Sequence, residues 1–140
     1  AKGQISTYYT CCTEPFPGTF SFSNPADATW IGIHAVAGDY DGYLRWAVNS
    51  WTRDPLRDSR FRTWAAGDTY SIYPGPRSSI GFQDAEKIWQ LRNQYKKTGD
   101  THRLARLNKK LAEFTPANMT AEKERNAGRM VRELVRLLNE

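Results

Sequence analysis

Residues 40–80 read YDGYLRWAVNSWTRDPLRDSRFRTWAAGDTYSIYPGPRSSI, and how this stretch folds decides the architecture. Two short runs, 43–50 and 69–73, carry the aromatic and β-branched residues of strands, and they flank a segment too rich in Arg and Asp to be core. In the first run Tyr43, Arg45, Ala47 and Asn49 alternate with Leu44, Trp46 and Val48. The second set is the more apolar, so the alternation predicts that it faces the core. Arg45, on the opposite face, is then either exposed or paired inside a barrel. The runs end in Asn49, Ser50 and Trp51 and in Tyr73, Pro74 and Gly75. Polar and aromatic side chains where strands stop and long loops begin describe the ligand face of an α/β sheet or barrel. The connection, 52–66, is long for a compact domain, which marks it as functional or disordered. Asp54, Arg57, Asp58 and Arg60 within it are expected to form surface ion pairs.

Upstream, residues 4–12 (QISTYYTCC) read as a strand that breaks at EPFPG, 14–18, because two prolines and a glycine cannot continue a ladder. Residues 19–22 are expected to pair briefly. Asn24 precedes Pro25, a helix cap with proline at the first helical position. The helix 26–37 that follows ends at Gly38, and its residues Trp30, Ile31, Ile33, Ala35 and Val36 surround most of it, so it should be buried. His34 within it is expected to be a satisfied core residue. Residues 39–42 form a turn. Strand, helix, strand, loop, strand implies right-handed βαβ crossovers and parallel pairing.

Downstream the chain is helical. Ile88, Leu91 and Tyr95 make one stripe on 84–97, with Trp89 and Arg92 beside it. Gly99 stops that helix and Asp100 caps the next, along which Leu104, Leu107, Leu111 and Phe114 form a seam. After a turn at 115–119, Thr120 caps a last helix whose Ala127, Met130, Val131, Leu134, Val135 and Leu138 face inward. The expected fold is α/β: a partial (β/α) barrel-like unit over 1–82, followed by a three-helix C-terminal tail over 83–140, in a single domain. About three parallel strands are too few to close a barrel and leave an edge uncovered. The expected partner is therefore a second copy, most simply in a two-fold dimer, or an N-terminal part of the same protein. The alternative is that loop 52–66 folds over the edge and keeps the chain monomeric.

Composition narrows the classes. With 140 residues, 39% hydrophobic and 25% charged, the chain fits one globular core. No apolar run approaches the ~20 residues of a membrane span, and AKGQISTYYT lacks the pattern of a secretory leader. Residues 1–82 hold seven Lys/Arg and seven Asp/Glu, against thirteen and eight in 83–140, so the net charge of +5 resides in the helical half. Acids are interleaved and no nucleic-acid motif appears, so solvated helix faces are expected rather than a nucleic-acid surface. Cys11 and Cys12 are adjacent, a spacing that strains a disulfide, and packing roles are expected for both. No CxxC or His cluster supplies metal-ligand spacing, so no metal or other cofactor is expected. His34 and His102 are the remaining candidate bases for a nucleophilic cysteine.

GYLRWAVNSW, DPLRDSRF, GDTYSIYPG and RSSI, in that order and spacing, resemble the C-terminal end of the catalytic region of glycoside hydrolase family 123, found in related proteins as DUF4091. The resemblance covers residues 4 to about 80 and continues loosely through LNKKLAEF and ERNAGRMVRELVRLLN. It implies a (β/α)8 barrel and a β-N-acetylgalactosaminidase-like activity, in which the substrate's own acetamido oxygen is the nucleophile. An Asp–Glu pair polarises the acetamide and protonates the leaving oxygen in that family. This chain has no Asp–Glu dipeptide, and Glu14 is the one acid near a strand end in its first segment, so no catalytic residue is assigned. The sequence also departs from the family pattern: about two helical turns of ~3.6 residues each are missing after RSSI, Ile33-His34 stands for Trp-Tyr, and Val48 for Tyr. Carried over by position, Asn49, Trp51, Tyr73 and Arg77 are the candidate substrate-binding residues. Trp51 would stack on a sugar ring or pack the loop. Asn49 would bond a hydroxyl or acetamide, Tyr73 closes its strand on the same face, and Arg77 would contact an anion or carbonyl. The resemblance thus implies a glycosidase segment that is inactive alone. The alternative is a non-catalytic, self-associating domain with residual carbohydrate binding.

Overall fold

The computed structural model describes residues 3–13, 16–61, 63–75, 80–115 and 120–137. Helix α1 (Ala26–Ala37) is the centre on which the other elements pack. Asn24 begins it as expected, its side-chain oxygen accepting the Ala26 N–H at 3.0 Å, with Pro25 already helical. Asp27 in the first turn suits the positive end of the helix dipole. Its buried carboxylate also accepts the Gly18 N–H at 3.2 Å, which holds the Pro-rich segment against the helix. Trp30, Ile31 and Ile33 are wholly buried, so the helix is covered nearly all round.

Strand β1 (Thr7–Tyr9) precedes α1 and strand β2 (Gly42–Leu44) follows it. They pair in parallel, Thr7 opposite Gly42 and Tyr9 opposite Leu44, so β1–α1–β2 is one βαβ unit. Tyr8 points from the sheet onto α1, where its hydroxyl donates to the Ile31 carbonyl at 2.5 Å. Its ring meets His34 edge-on at 4.7 Å and lies 5.0 Å from Tyr43. His34 is buried, and its Nδ1–H donates to the Phe114 carbonyl at 2.5 Å, the satisfied core histidine that the sequence suggested.

The helical part forms α2 (Ile80–Thr98), α3 (Thr101–Leu111) with a 3-10 turn (Ala112–Phe114), and α4 (Ala121–Arg136). The caps sit where the sequence put them: Asp100 accepts the Arg103 N–H at 3.0 Å and Thr120 accepts the Lys123 N–H at 3.3 Å. Gly99, at φ 72°, makes the turn between α2 and α3. Ile88, Leu107, Leu111, Phe114, Ala127, Met130, Val131 and Leu134 close on Phe16, Trp30, Ile33 and Val36 in one continuous cluster. The Trp30 ring lies 4.5 Å from Phe114 and 4.9 Å from Phe16. The tail is therefore the outer wall of the α1 core. Leu138 and residues 116–119 of the expected turn lie outside the described residues.

The sheet is smaller than expected, and one face is reversed. Among the described residues it has two strands of three residues each, so the chain is mixed α/β with helix predominating and no barrel-like unit. Residues 69–73 are turn and bend rather than a third strand. Their backbone is engaged locally: the Tyr70 N–H closes a turn on the Gly67 carbonyl at 3.1 Å. An alternating pattern carries no information on whether a partner's N–H and C=O groups fall opposite. For the same reason the runs 4–12 and 43–50 are strand only at their centre and start, and 19–22 forms no strand, although Ser21 N–H reaches the Ala66 carbonyl at 2.9 Å. Past Leu44, it is Arg45 that turns inward. Leu44, Trp46 and Val48 are 56%, 47% and 44% exposed, while Arg45 is buried.

Phe114→Ala should lower stability by about 3–5 kcal/mol, the cost of a large cavity in a packed core, measured by urea unfolding. The Tyr8 hydroxyl is raised well above its ordinary value, first by burial and then by the Tyr43 and Tyr40 phenols. Its stabilisation is therefore intact below the unfolded value of about 10 and is lost as pH climbs beyond it. Tyr8→Phe should flatten stability above that pH. An unchanged alkaline slope in the variant would contradict the assignment.

Candidate functional site

The face beyond the strand ends is held by an ion pair in place of a sheet ladder. Arg45 leaves β2 with its side chain inward, where one guanidinium nitrogen donates to the Thr10 carbonyl and another to the Asp68 carboxylate. The two side chains are 3% and 4% exposed. Stripping water from both charges is costly, and further hydrogen bonds offset part of that cost although the Arg45 Nε has no partner among the described residues. The second Asp68 oxygen accordingly accepts the Trp46 indole N–H at 3.0 Å, and the Asp68 carbonyl accepts from Thr19 Oγ1 at 3.3 Å. The Tyr9 ring lies 5.9 Å from the Arg45 guanidinium carbon, within cation–π range.

From this anchor, residues 45–52 and 67–73 run side by side. Thr69 Oγ1 donates to the Ser50 carbonyl at 2.5 Å, and the Trp51 indole N–H to the Ile72 carbonyl at 3.1 Å. Thr52 Oγ1 is 3.3 Å from the Tyr70 hydroxyl. Gly67 permits the approach of 19–21: it has φ 85°, and a Cβ there would lie 2.8 Å from the Ser21 nitrogen. The long loop is packed rather than loose, with Trp64 against Trp46 at 4.9 Å and Phe61 at 4.6 Å. Its ion pairs are Asp58 with Arg60 at 2.8 Å and Asp54 with Arg57 at 3.9 Å. Hydrogen bonds from Arg60 hold the Asp58 carboxyl down to about 2.

Three of the four sequence-chosen residues lie on the two segments that run side by side, and Trp51 bonds the backbone of the residue before Tyr73. Asn49 is exposed, and its carbonyl accepts the Trp51 N–H at 2.9 Å. Trp51 is half-buried, and its indole nitrogen is spent on Ile72, which leaves the ring face as its means of contact. Tyr73 is 47% exposed at the wall of a groove of about 250 Å³ shared with Phe20, Ser21, Leu56, Arg57 and Tyr70. Arg77 and the candidate acid Glu14 lie outside the described residues. Sequence reasoning missed Asp68 and Trp46, which organise and extend the face. The available signal was Arg45 itself, a cation in an alternating run that calls for a buried partner.

Asp68 bonds Arg45 and Trp46, Asp58 bonds Arg60, and the exposed Asp54 lies 3.9 Å from Arg57. Among the described residues no group of three or more His, Cys, Asp and Glu is gathered to hold a metal. No helix among them is long and apolar enough to cross a membrane. Cys12 is exposed, so the packing role expected of it is not what the fold gives, whereas Cys11 is partly buried.

Asp68→Ala should cost about 3–5 kcal/mol by leaving the Arg45 charge buried and alone, and Arg45→Met with Asp68→Leu should recover most of it. Arg60→Ala on the loop should change stability by no more than about 1 kcal/mol. Urea unfolding of the four proteins orders them.

The glycoside hydrolase 123 catalytic-domain model matches residues 1–93, which take in β1, α1, β2, the face beyond them and much of α2. No curated protein matches the chain. With well over half of its 140 residues accounted for in this way, the chain belongs to the glycoside hydrolase 123 catalytic-domain family.

Proposed function

We propose that the Asn49–Trp51–Tyr73 face binds an N-acetylhexosaminide, most specifically a β-N-acetylgalactosaminide, and that this chain by itself binds it without hydrolysing it. The observation that carries this is the Trp51–Ile72 hydrogen bond of 3.1 Å. It fixes a half-buried indole two residues after the exposed Asn49 and bonded to the residue before the half-exposed Tyr73, which supplies an aromatic face and an amide close together in the chain. A pyranose ring offers axial C–H groups to an aromatic face, and its acetamide offers one donor and one acceptor, which match an Asn side chain. Substrate-assisted hydrolysis also needs a carboxylate pair beside the sugar. The Asp68 and Asp58 carboxylates of this face are engaged with arginines, which supports binding without turnover. Arg77 is proposed to contact the sugar as well.

N-acetylgalactosamine at millimolar concentration should shift the Asn49, Trp51 and Tyr73 NMR resonances, and Trp51→Ala should abolish the shifts while the fold persists. Aryl β-N-acetylgalactosaminides should not be turned over. Turnover above buffer that is lost in Glu14→Gln would overturn the second part and make Glu14 the acid.

A second proposal rests on Leu44, Trp46 and Val48, which line one exposed run just past the two-stranded sheet. Contiguous apolar surface of this kind marks association sites. It suits a second copy of the chain or an N-terminal part of the same protein. Light scattering at tens of micromolar should give a mass above that of the monomer, and Val48→Lys should return it to the monomer. A monomer mass that persists on concentration would exclude self-association.

A further inference from the structure

The adjacent cysteines follow β1 at the end of the sheet where both strands stop. Their sulfurs converge: Cys11 Sγ and Cys12 Sγ are 3.7 Å apart, with Cys12 exposed and Cys11 half-exposed. The base beneath them is fixed. Thr10 is buried, its hydroxyl is 2.7 Å from the Tyr43 hydroxyl, and its carbonyl is held by Arg45. The thiols therefore project from a rigid support.

We propose that Cys11 and Cys12 form a vicinal dithiol site for a thiophilic metal or metalloid centre that takes two thiolates side by side. Three geometric facts carry it. Two thiolates at about 2.3 Å from a tetrahedral centre lie about 3.8 Å apart, and the observed separation is 3.7 Å. A disulfide, by contrast, needs sulfurs about 2.05 Å apart and Cα atoms about 4.4–6.8 Å apart, whereas neighbouring Cα atoms across a trans peptide sit at about 3.8 Å. The pair suits a chelate and resists oxidation to a bridge. The exposure of Cys12 supplies the open approach that such a centre requires.

For a trivalent arsenical the reaction is a condensation. Two S–H bonds and the arsenic–oxygen bond are exchanged for two As–S bonds, both protons leave with the oxygen as water, and no oxidation state changes. The site stands apart from the carbohydrate proposal and does not depend on it.

Phenylarsine oxide mixed with the 140-residue chain should give, by intact mass, a single adduct per chain. Excess 2-mercaptoethanol should leave it in place and dithiothreitol should remove it. Cys11→Ser and Cys12→Ser should each weaken binding about 100-fold, the gain that linkage of two donors provides. Maleimide labelling before treatment should count both thiols in the parent chain, and circular dichroism should show the variants folded. An adduct stripped by the monothiol overturns the proposal. So does one that persists undiminished in either serine variant, or the absence of any adduct on a folded chain with both thiols reactive. Cys12 is exposed, so its serine variant tests the pair without disturbing the core.

Discussion

The Arg45 guanidinium joins three separate parts of the chain. It reaches the Thr10 carbonyl after β1 and the Asp68 carboxylate at the far side of the long loop, from a position just past β2. In a larger parallel sheet, backbone hydrogen bonds would do this joining. Here two strands of three residues supply too few of them, and a buried charge pair takes over. Such a pair is a poor source of net stability, because desolvation consumes most of the attraction, but it tolerates only one arrangement of its neighbours. Trp46, Thr19 and, through 67–73, Trp51 and Thr52 are all positioned by reference to it.

Stability comes mainly from elsewhere. Helix α1 is enclosed by β1 and β2 on one side and by α2, α3 and α4 on the other, with Trp30 between Phe16 and Phe114. Three polar groups at this core are tied down: His34 to the Phe114 carbonyl, Tyr8 to the Ile31 carbonyl, and Arg92 to the Val36 carbonyl at 2.8 Å. Each bond links α1 to a different element or ends it, so burial and register are set together. The molecule thus divides its labour between a helical core that is apolar and closed, and a strand-end face that is polar, aromatic and open.

That division fits a member of a glycoside hydrolase family. Sugar recognition needs aromatic faces and amides held still in a partly wet site. Such side chains are best held by bonds to backbone rather than to each other. Trp51 spends its only side-chain donor on the Ile72 carbonyl, which fixes the direction of its ring.

The helices could be read directly from the chain because their signals are local. Asn24, Asp100 and Thr120 cap within a few residues, and the apolar seams of α3 and α4 repeat on one face. The burial of α1 and the satisfied state of His34 were legible for the same reason, and four ordered motifs named the family. The strand ends expected at Asn49, Trp51 and Tyr73 did not form, since β2 stops at Leu44 and 69–73 are not strand. The inward face of 43–50 was not legible either. Alternation defines two sets of side chains, and hydrophobicity chose Leu44, Trp46 and Val48. The actual choice depended on Asp68, 23 residues further on, waiting to receive Arg45. Strand length escaped the sequence for a related reason, since a ladder exists only where a second strand presents its N–H and C=O groups. Local chemistry therefore determined the helices and their core. Only the tertiary structure decided the face, because its bonds join residues far apart in the chain.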